Sequence, residues 1–303
     1  MGTAAPTLVV DRASGALLEE RVFGARALER IYGPGARGAL LRLVMPLPVV
    51  STLYGRMQRT SSSRARVARF VSELGIDASE AEQPLDRYPS LDAFFARRLR
   101  PGARPVDDAP DTLVAPADGR ALAFADVRGP LPIKGHAVDV EELVGAPLPC
   151  ARAAVLVVRL APADYHRFHA PCAGTLSAPR TLGGLLHSVH PMALAAGAPS
   201  FANRRHASTL THTLVGTVVL VEVGALLVGE IERTRGPGPV AKGEELGAFH
   251  FGGSTVVLIA DAARLCFDED LIANSARGLE TLVRMGTRVG AHVAAPSGEV
   301  SRR

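Results

Sequence analysis

The chain has 303 residues, of which 47% are hydrophobic and 21% charged, and it carries a formal net charge of +4. This composition is ordinary for a folded globular protein with a sizeable core, organised as one large or two small domains. Lys134 and Lys242 are the only lysines, which excludes most candidates for a Schiff-base lysine. Cys150, Cys172 and Cys266 form no CxxC pair, so a zinc site built on cysteine is not expected.

The basic residues are not interleaved with aromatic side chains, so we expect no nucleic-acid partner. The mild positive charge instead suits an anionic membrane surface or an anionic ligand. The cysteine count is odd, and residues 1–11 lack a basic region followed by an apolar one. These two features predict a reducing compartment rather than secretion.

Residues 15–100 are predicted to be helical, because apolar residues from Leu17 to Phe23 recur at helical spacing. The most apolar part, residues 39–50, is shorter than the roughly 20 residues of a membrane-spanning helix and contains two prolines. Four arginines lie within or close to this segment: Arg37, Arg42, Arg56 and Arg59. The pattern favours a segment lying on an anionic bilayer surface, and a hairpin of core helices explains it equally well.

Two further helices are predicted before the helical pattern gives way to short β-strand-like segments. Residues 64–74 have helical spacing, and Gly75 follows them as a helix-ending residue. Ser90 is predicted to cap a helix over residues 91–99. The proline- and glycine-rich residues 101–110 then mark a boundary between two parts of the chain.

After this boundary, short apolar runs alternate with glycine and proline turns, which is typical of β-strands. A hairpin is predicted about Gly224, and a short helix near residues 268–276. The predicted strands cover residues 112–115, 153–160, 215–223, 225–231 and 256–260. The fold class is therefore α+β, with a helical, membrane-associating region (residues 1–100) packed on a β-rich catalytic domain (residues 101–303).

Three polar clusters in the β-rich part could carry chemistry. Asp118 precedes Gly119 directly after a strand, where an Asx turn is the ordinary explanation. His166 and His169 are three residues apart, which would place them on one side of a helical turn. Asp164 is the only carboxylate close to them in sequence and no HExxH motif is present, so no metal is expected.

The third cluster is Gly252-Gly253-Ser254-Thr255, followed at once by an apolar strand. A tight turn between strands is the commonest role of such a stretch. A strained turn could also present Ser254 as a nucleophile, either to an outside substrate or to the carbonyl of Gly253. The Gly-x-Ser-x-Gly elbow is absent, since valine follows Thr255, so an ordinary α/β-hydrolase is disfavoured.

Taken together, the motifs resemble those of the phosphatidylserine decarboxylase proenzyme family over residues 70–290. Four stretches carry the resemblance: Pro116-Ala117-Asp118-Gly119, Ile133-Lys134-Gly135-His136 with Glu141-Glu142-Leu143, residues 164–171, and Gly252-Gly253-Ser254-Thr255. The resemblance implies a pyruvoyl enzyme that cleaves itself between Gly253 and Ser254. The products would be a large chain (1–253) and a small chain (254–303) that begins with the pyruvoyl group derived from Ser254.

The resemblance also implies the roles of individual residues. Asp118 and His169 match the relay that activates Ser254 for self-cleavage, and His166 matches the histidine of the decarboxylation step. The covalent pyruvoyl cofactor would form a Schiff base with the amine of phosphatidylserine. It would thereby supply the electron sink that decarboxylation of an α-amino acid needs, and the product would be phosphatidylethanolamine.

The expected partners are phosphatidylserine, an anionic membrane surface and the chain's own two fragments, with a homodimer left open. We expect the protein to lie peripherally on the cytoplasmic face of the cell membrane. Two alternatives remain open from the sequence. One is a pyruvoyl decarboxylase of a soluble amino acid, and the other is a non-catalytic membrane-binding module of the same fold.

Overall fold

The structure is a computed structural model that describes residues 7–20, 25–32, 36–133, 136–190, 193–194, 196–226, 230–251 and 254–293. The helices in these ranges are α1 (Ala25–Tyr32), α2 (Ala36–Val44), α3 (Pro48–Arg59), α4 (Val67–Leu74), α5 (Leu91–Phe95), α6 (Val140–Val144) and α7 (Glu269–Ala276). Short 3₁₀ helices cover Ser61–Arg66, Ala78–Glu80, Leu85–Arg87 and Ser200–Ala202.

The strands lie mainly after residue 110, with two short ones near the N-terminus. They are β1 (Leu8–Asp11), β2 (Leu17–Glu19), β3 (Thr112–Val114), β4 (Gly119–Val127), β5 (Leu131–Ile133), β6 (His136–Val138), β7 (Ala153–Leu160), β8 (Arg167–His169), β9 (Gly174–Leu176), β10 (Arg180–Leu182), β11 (Arg205–His212), β12 (Gly216–Gly224), β13 (Ile231–Arg233), β14 (Gly238–Val240), β15 (Glu245–Phe249), β16 (Ser254–Asp261), β17 (Leu265–Phe267), β18 (Glu280–Val283) and β19 (Arg288–His292).

One large sheet organises the molecule, in the order β14-β9-β11-β12-β16-β7-β4-β18-β1-β2, with β10 beside β11. Every described pair in it is antiparallel except β1 with β18. Three smaller sheets surround it: β13-β15-β8, β17-β19-β3 and β5-β6. This β-rich architecture with helices before it confirms the α+β prediction, while the division of the chain near residue 100 stays a prediction.

The centre of the large sheet is buried on both faces. Every residue of β7 is buried, and its alternate side chains enter two different clusters. Leu156 and Val158 belong to one apolar cluster, and Val155 and Val157 to the other. Since neighbouring side chains on a strand point to opposite faces, burial of both faces explains why residues 153–158 are all apolar instead of alternating with polar ones.

A separate aromatic cluster joins the N-terminal helices to the segment that precedes Ser254. Phe70 of α4, Phe94 and Phe95 of α5 all pack with Phe251. The ring centroids of Phe95 and Phe251 are 4.9 Å apart. The helices are therefore anchored on the residue that leads into the Gly-Gly-Ser stretch.

Several predicted elements are confirmed. The helix over residues 67–74 ends at Gly75, which adopts a left-handed conformation with φ of 65°. The Ser90 side chain accepts a hydrogen bond from the Ala93 main-chain N–H, as an N-cap does, although α5 ends at Phe95 rather than at residue 99. Strands β7 and β16 and helix α7 also match their predictions.

Two local predictions are wrong. Leu17 and Leu18 lie on strand β2, because that segment pairs with β1 and extends the large sheet instead of forming a helix. The hairpin about Gly224 is absent from the described residues, since β12 pairs with β11 and β16 while β13 pairs with β15. Val22 and Phe23 lie outside the described residues.

The apolar segment forms a bent pair of helices, α2 and α3. Pro48 occupies the first turn of α3, where its missing N–H costs no hydrogen bond, and Pro46 lies in the break. No single described helix is long and apolar enough to cross a membrane, whereas residues 38–44 and α3 pass that test only together, bent by 79°. Apolar side chains of the pair are exposed: Leu40, Leu43, Val44, Leu47, Val49, Leu53 and Met57.

Candidate active site

Ser254 is the first residue of β16, at the end of the large sheet where several strands start or stop. It pairs with Gly224 of β12 on one side and with Leu160 of β7 on the other. Its hydroxyl Oγ is fully buried and has no hydrogen-bond partner among the described residues. A buried hydroxyl without a partner is costly in a folded protein, so this position calls for an explanation beyond packing. Gly253, the other side of the predicted cleavage site, lies outside the described residues.

Asp118 reaches the same edge of the sheet from the neighbouring strand. Gly119 opens β4, and Arg120 pairs with Arg159, so Gly119 lies beside the end of β7. Because adjacent strands are roughly 4.8 Å apart, Gly119 and Ser254 flank β7 at a Cα separation of about 10 Å. A side chain at Gly119 would bring a Cβ within 2.6 Å of the Arg159 carbonyl oxygen, so only glycine allows this close approach.

The Asp118 carboxylate is held by neighbours other than a histidine. Arg104 donates to both of its oxygens, with Nε at 2.9 Å from Oδ1 and Nη2 at 2.6 Å from Oδ2. The Met285 main-chain N–H donates to Oδ1 at 2.8 Å. Among the described residues, Asp118 and His169 form no hydrogen bond with each other. The structure thus brings the two halves of the predicted relay into one region without closing the contact between them.

His169 ends strand β8 and lies next to the Asp118 segment through its main chain. Its N–H donates to the Pro116 carbonyl oxygen at 2.7 Å. The ring lies 5.6 Å from that of Tyr165, and its Nδ1 is buried without a hydrogen-bond partner. Burial lowers the pKa of His169 to about 4, so its imidazole is neutral at physiological pH and can accept a proton.

His166 lies in the loop between β7 and β8, deep under α5. Its ring stacks on Phe95 with centroids 3.8 Å apart. Its Nδ1 donates to the Asp164 carbonyl oxygen at 3.0 Å, because a carbonyl can only accept, and this leaves the lone pair on Nε2. Nε2 is buried without a partner, and burial lowers the pKa of His166 to about 3. His166 is therefore a neutral imidazole with a free acceptor nitrogen.

The two histidines do not share a helical turn, and the sequence-based expectation of one is wrong. His169 belongs to β8, which pairs with β15, whereas His166 precedes that strand. Their three-residue separation reflects a turn after β7 that enters a new strand. Each ring therefore faces its own neighbours, Phe95 for His166 and Tyr165 for His169.

Carboxylates that the sequence did not single out support this site. The Asp164 carboxylate accepts from the Ala161 N–H at 2.6 Å and from Arg120, which fixes the loop that carries His166. Asp92 of α5 accepts from the Phe251 N–H at 2.9 Å. A sequence signal existed for Asp92 only as an acidic residue in the first turn of a helix. Nothing local indicated that it would hold the segment leading to Ser254.

Asp92 also joins α3 to the site. Arg59 donates to Asp92 at 3.1 Å and pairs with Glu230, so carboxylates compensate its charge although its side chain remains 45% exposed. His250 contacts the same carboxylate through Nδ1 at 2.9 Å. The Arg37 side chain lies outside the described residues.

A cavity of about 550 Å³ opens beside these residues. Its lining includes Asp118, Asp164 and Tyr165 from the site. Four arginines also line it: Arg12, Arg97, Arg104 and Arg284. No group of three or more His, Cys, Asp or Glu side chains in the described part of the chain is arranged to hold a metal ion. The arrangement offers two neutral histidines and an unpartnered serine hydroxyl in a dry environment, which suits proton transfer and attack by the hydroxyl.

Comparison with known proteins gives a consistent picture. The family described as phosphatidylserine decarboxylase matches residues 91–291 of this chain. A protein of Chlamydia trachomatis serovar L2b (strain UCH-1/proctitis), named phosphatidylserine decarboxylase proenzyme, is 38% identical over 296 residues. That match covers 95% of this chain and 98% of the relative.

Relatives from two other bacteria carry the same name. The one from Chlamydia muridarum (strain MoPn / Nigg) is 40% identical over 247 residues, which cover 79% of this chain and 82% of the relative. The one from Clostridium perfringens (strain ATCC 13124) is 36% identical over 259 residues, covering 83% and 88%. The matched region contains every polar residue described above at the strand edge.

Proposed function

The chain belongs to the phosphatidylserine decarboxylase family, and we propose that it converts phosphatidylserine to phosphatidylethanolamine and CO₂ with a pyruvoyl group made from its own Ser254. One observation carries the site assignment. The Ser254 hydroxyl is buried and unpartnered at the first residue of β16. The elements that hold Asp118, His166 and His169 meet at the same edge of the sheet.

The residues present fit such a group. Ser254 follows two glycines, so the preceding backbone can adopt conformations that a Cβ would forbid. The free Nε2 of His166 and the apolar surface of Phe95 and Phe251 border the segment in which the group would form. When formed, a pyruvoyl carbonyl supplies the electron sink that decarboxylation of an α-amino acid requires.

Formation of the group begins with self-cleavage. In the proposed sequence, the Ser254 Oγ gives up its proton to His169 and attacks the Gly253 carbonyl, so the amide becomes an ester. Removal of the Ser254 α-proton then expels the Gly253 carboxylate and leaves dehydroalanine. Tautomerisation and addition of water give the ketone and release ammonia. The large chain ends at residue 253, and the small chain begins at residue 254.

Asp118 assists this step by stabilising the protonated imidazole of His169. To do so it would exchange one of its hydrogen bonds from Arg104 or the Met285 N–H for one from His169. The buried position of His169, whose Nδ1 has no partner, supports this role because an imidazolium there would need an acceptor.

His166 is assigned to the later chemistry. Its hydrogen bond to the Asp164 carbonyl keeps the proton on Nδ1, and the lone pair on Nε2 can hold or transfer a proton at the substrate α-carbon. Stacking on Phe95 excludes water and fixes the ring plane.

A lipid substrate is favoured over a soluble amino acid by the surface of α2 and α3. Leu43 is 72% exposed, and Leu40 and Val49 are each 62% exposed. Several large apolar side chains exposed on one helix pair are typical of an interaction site, and a bilayer is the partner that a phospholipid enzyme must reach. We propose that the protein binds the membrane peripherally through this surface, on the cytoplasmic face.

The test is the intact mass of the purified protein. Wild type should give two chains divided between residues 253 and 254, whereas Ser254→Ala should stay full length. Ser63→Ala, which removes an equally buried hydroxyl among the N-terminal helices, should still cleave. A small chain produced by Ser254→Ala would refute the assigned cleavage site.

Activity is measured on the same preparations. Release of CO₂ from phosphatidylserine, but not from free serine or an aromatic amino acid, is the expected result for wild type. Turnover of a soluble amino acid instead would indicate a pyruvoyl decarboxylase with a soluble substrate. A single uncleaved chain without activity would indicate a non-catalytic membrane-binding module.

A further inference from the structure

Arg97 has a buried guanidinium that the mechanism above does not use. The residue is 95% buried, since its exposed fraction is 5%, and it lines the cavity beside Asp118. Its Nε and Nη1 are buried without a hydrogen-bond partner, and Nη2 makes one long contact of 3.3 Å with the Ala163 carbonyl oxygen. The guanidinium lies 4.8 Å from the centroid of the Phe94 ring.

The other arginines that line this cavity are all paired with carboxylates. Arg104 bonds to Asp118 and Glu80, Arg284 bonds to Glu80, and Arg12 bonds to two aspartates. Arginine remains protonated in proteins, so Arg97 keeps its positive charge although its side chain is buried. An unpaired buried charge costs several kcal/mol unless a counter-ion joins it. Asp118 and Asp164 line the same cavity, but neither forms an ion pair with Arg97 among the described residues, so its Nε and Nη1 donors stay available to a ligand.

Arg97 also lies close to the reacting residues. Its contact Ala163 follows the end of β7, where Leu160 pairs with Ser254. Its near neighbour Phe95 stacks on His166. Any anion bound by Arg97 would thus lie in the cavity that Asp118, Asp164 and Tyr165 also line.

We propose that Arg97 binds the phosphodiester group of the phospholipid headgroup, with its free Nε and Nη1 donors directed to the phosphate oxygens. This inference rests on the proposed function. The planar guanidinium fork matches phosphate geometry and can donate two parallel hydrogen bonds. In phosphatidylserine, a few covalent bonds separate the phosphate from the carbon that loses CO₂, so one enclosure can hold both.

The headgroup also carries a carboxylate, but that group is the weaker choice. A strong contact to the carboxylate would stabilise the ground state and be lost as CO₂ leaves, which would raise the barrier. A contact to the phosphate is the same before and after the reaction. It binds and orients the substrate uniformly, and the product keeps it.

The test compares Arg97→Met and Arg97→Lys with wild type on a soluble, short-chain phosphatidylserine. For Arg97→Met we expect KM to rise about 10- to 100-fold with little change in kcat, since a charge-assisted hydrogen bond made in both states is removed. Short-chain phosphatidylethanolamine should lose potency as a product inhibitor by a similar factor. Arg97→Lys should recover part of both losses.

Arg98→Met is the matched control, because this neighbouring arginine is largely exposed. Its ion pair with Glu245 is long, at 3.7 Å. Arg98→Met should change neither KM nor product inhibition. An unchanged KM in Arg97→Met would overturn the proposal. A raised KM with unchanged product inhibition would overturn it too, because it would assign the contact to the carboxylate.

Ligand binding to the unaltered chain tests the site if both Arg97 variants fail to fold. Inorganic phosphate should raise the melting temperature above that in chloride of equal ionic strength, and glycerophosphoethanolamine should do so at lower concentration. No shift with either up to about 100 mM would overturn the proposal. A stronger effect of inorganic phosphate than of the headgroup compound would overturn the lipid source and leave a free-phosphate site.

The two proposals can fail separately. If wild type releases no CO₂ from phosphatidylserine, the proposed function fails whatever Arg97 binds. If wild type is active and the Arg97 variants keep its KM and its product inhibition, only the phosphate site fails.

Discussion

In folded proteins, large apolar side chains are usually buried, and buried polar atoms usually have hydrogen-bond partners. Two regions of this molecule depart from this pattern in opposite ways. The bent pair α2–α3 leaves large apolar side chains in contact with solvent, among them Leu43 and Val49. The strand edge around Ser254 instead hides polar atoms without partners, including the Ser254 hydroxyl and His166 Nε2. Each departure costs stability in the isolated protein.

The contrast indicates what each region meets during function. Uncovered apolar surface is stabilised by contact with another apolar phase, here the bilayer we propose. Buried polar atoms without partners are available to react, because nothing in the resting structure competes for them. One residue joins the two regions: Asp92 contacts Arg59 at the end of α3 and the Phe251 N–H before the cleavage site.

The largest effects should come from the two histidines of the strand edge. His169→Ala should remain uncleaved, because the base that activates Ser254 is missing. His166→Ala should cleave normally but lose decarboxylation by about 10²- to 10⁴-fold, the usual contribution of a general acid–base group. Gel analysis and CO₂ release separate the two outcomes, and the reverse pattern would exchange the roles of the two residues.

Substitutions in the bent pair should impair membrane binding and leave self-cleavage unchanged. Leu43→Ser, Val44→Ser and Leu47→Ser combined should lower binding to anionic vesicles by at least about tenfold, since apolar burial is lost, while self-cleavage is unchanged. Flotation with vesicles measures this. Because Arg59 is engaged by Asp92 and Glu230, raised salt should weaken wild-type binding only partly.

Leu17→Ser with Leu214→Ser is the control for the vesicle experiment, since both leucines are exposed outside the bent pair. This control should float as wild type does. If the triple variant floats as well as wild type does, the exposed side chains of the bent pair do not bind the bilayer, and the proposed function of this region is wrong.

The pH dependence of the unfolding free energy tests the burial of the two neutral histidines at the strand edge. Burial lowers the pKa of His166 from 6.5 to about 3 and that of His169 from 6.5 to about 4. Between these values and 6.5, the unfolded chain therefore binds protons that the native state does not bind. Stability is therefore present above pH 6.5 and is lost as the pH falls towards 4, by up to about 1.4 kcal/mol per pH unit for each histidine.

This dependence is measured by urea unfolding of uncleaved Ser254→Ala between pH 7.5 and 4.5. Adding His166→Phe should make the decline with pH shallower by up to one proton's contribution, since phenylalanine keeps the stacking on Phe95 and cannot titrate. An equal slope in both proteins would mean that His166 is not a buried neutral histidine.

The smallest effect concerns α5, which lies between the two regions. Ser90→Ala removes the N-cap hydrogen bond to the Ala93 N–H, observed at 3.1 Å, and should lower the unfolding free energy by about 1 kcal/mol. Ser72→Ala on the exposed face of α4 should change it by less than about 0.5 kcal/mol. Equal urea midpoints for the two variants would show that the cap contributes nothing.

Much of the site could be predicted because its signals are local. Ser254 was marked by the two glycines before it and the apolar strand after it, and Asp118 by the glycine that opens β4. The two histidines stood in one short stretch. Their relation could not be predicted, because the direction of each ring depends on partners such as Phe95 and Tyr165, which lie elsewhere in the sequence or on another face.

The supporting charges were invisible for the same reason. Arg104, Arg120 and Asp92 look like ordinary surface residues in sequence, and only contacts across many residues make them part of the site. Arg97 is the clearest case. It stands beside Arg98 in an arginine-rich helix end, and nothing local distinguishes the one that is buried without a carboxylate from the one that is exposed.

By itself the sequence determined the residues able to react and the central strands β7 and β16, because glycine conformations and runs of apolar residues act over a few positions. Tertiary structure decided which strands are neighbours, so that β12 pairs with β16 instead of forming a hairpin with the residues that follow it. It also decided which charges are compensated. Register and burial arise from contacts between distant parts of the chain, and only those contacts leave Ser254, His166 and Arg97 buried with free polar atoms.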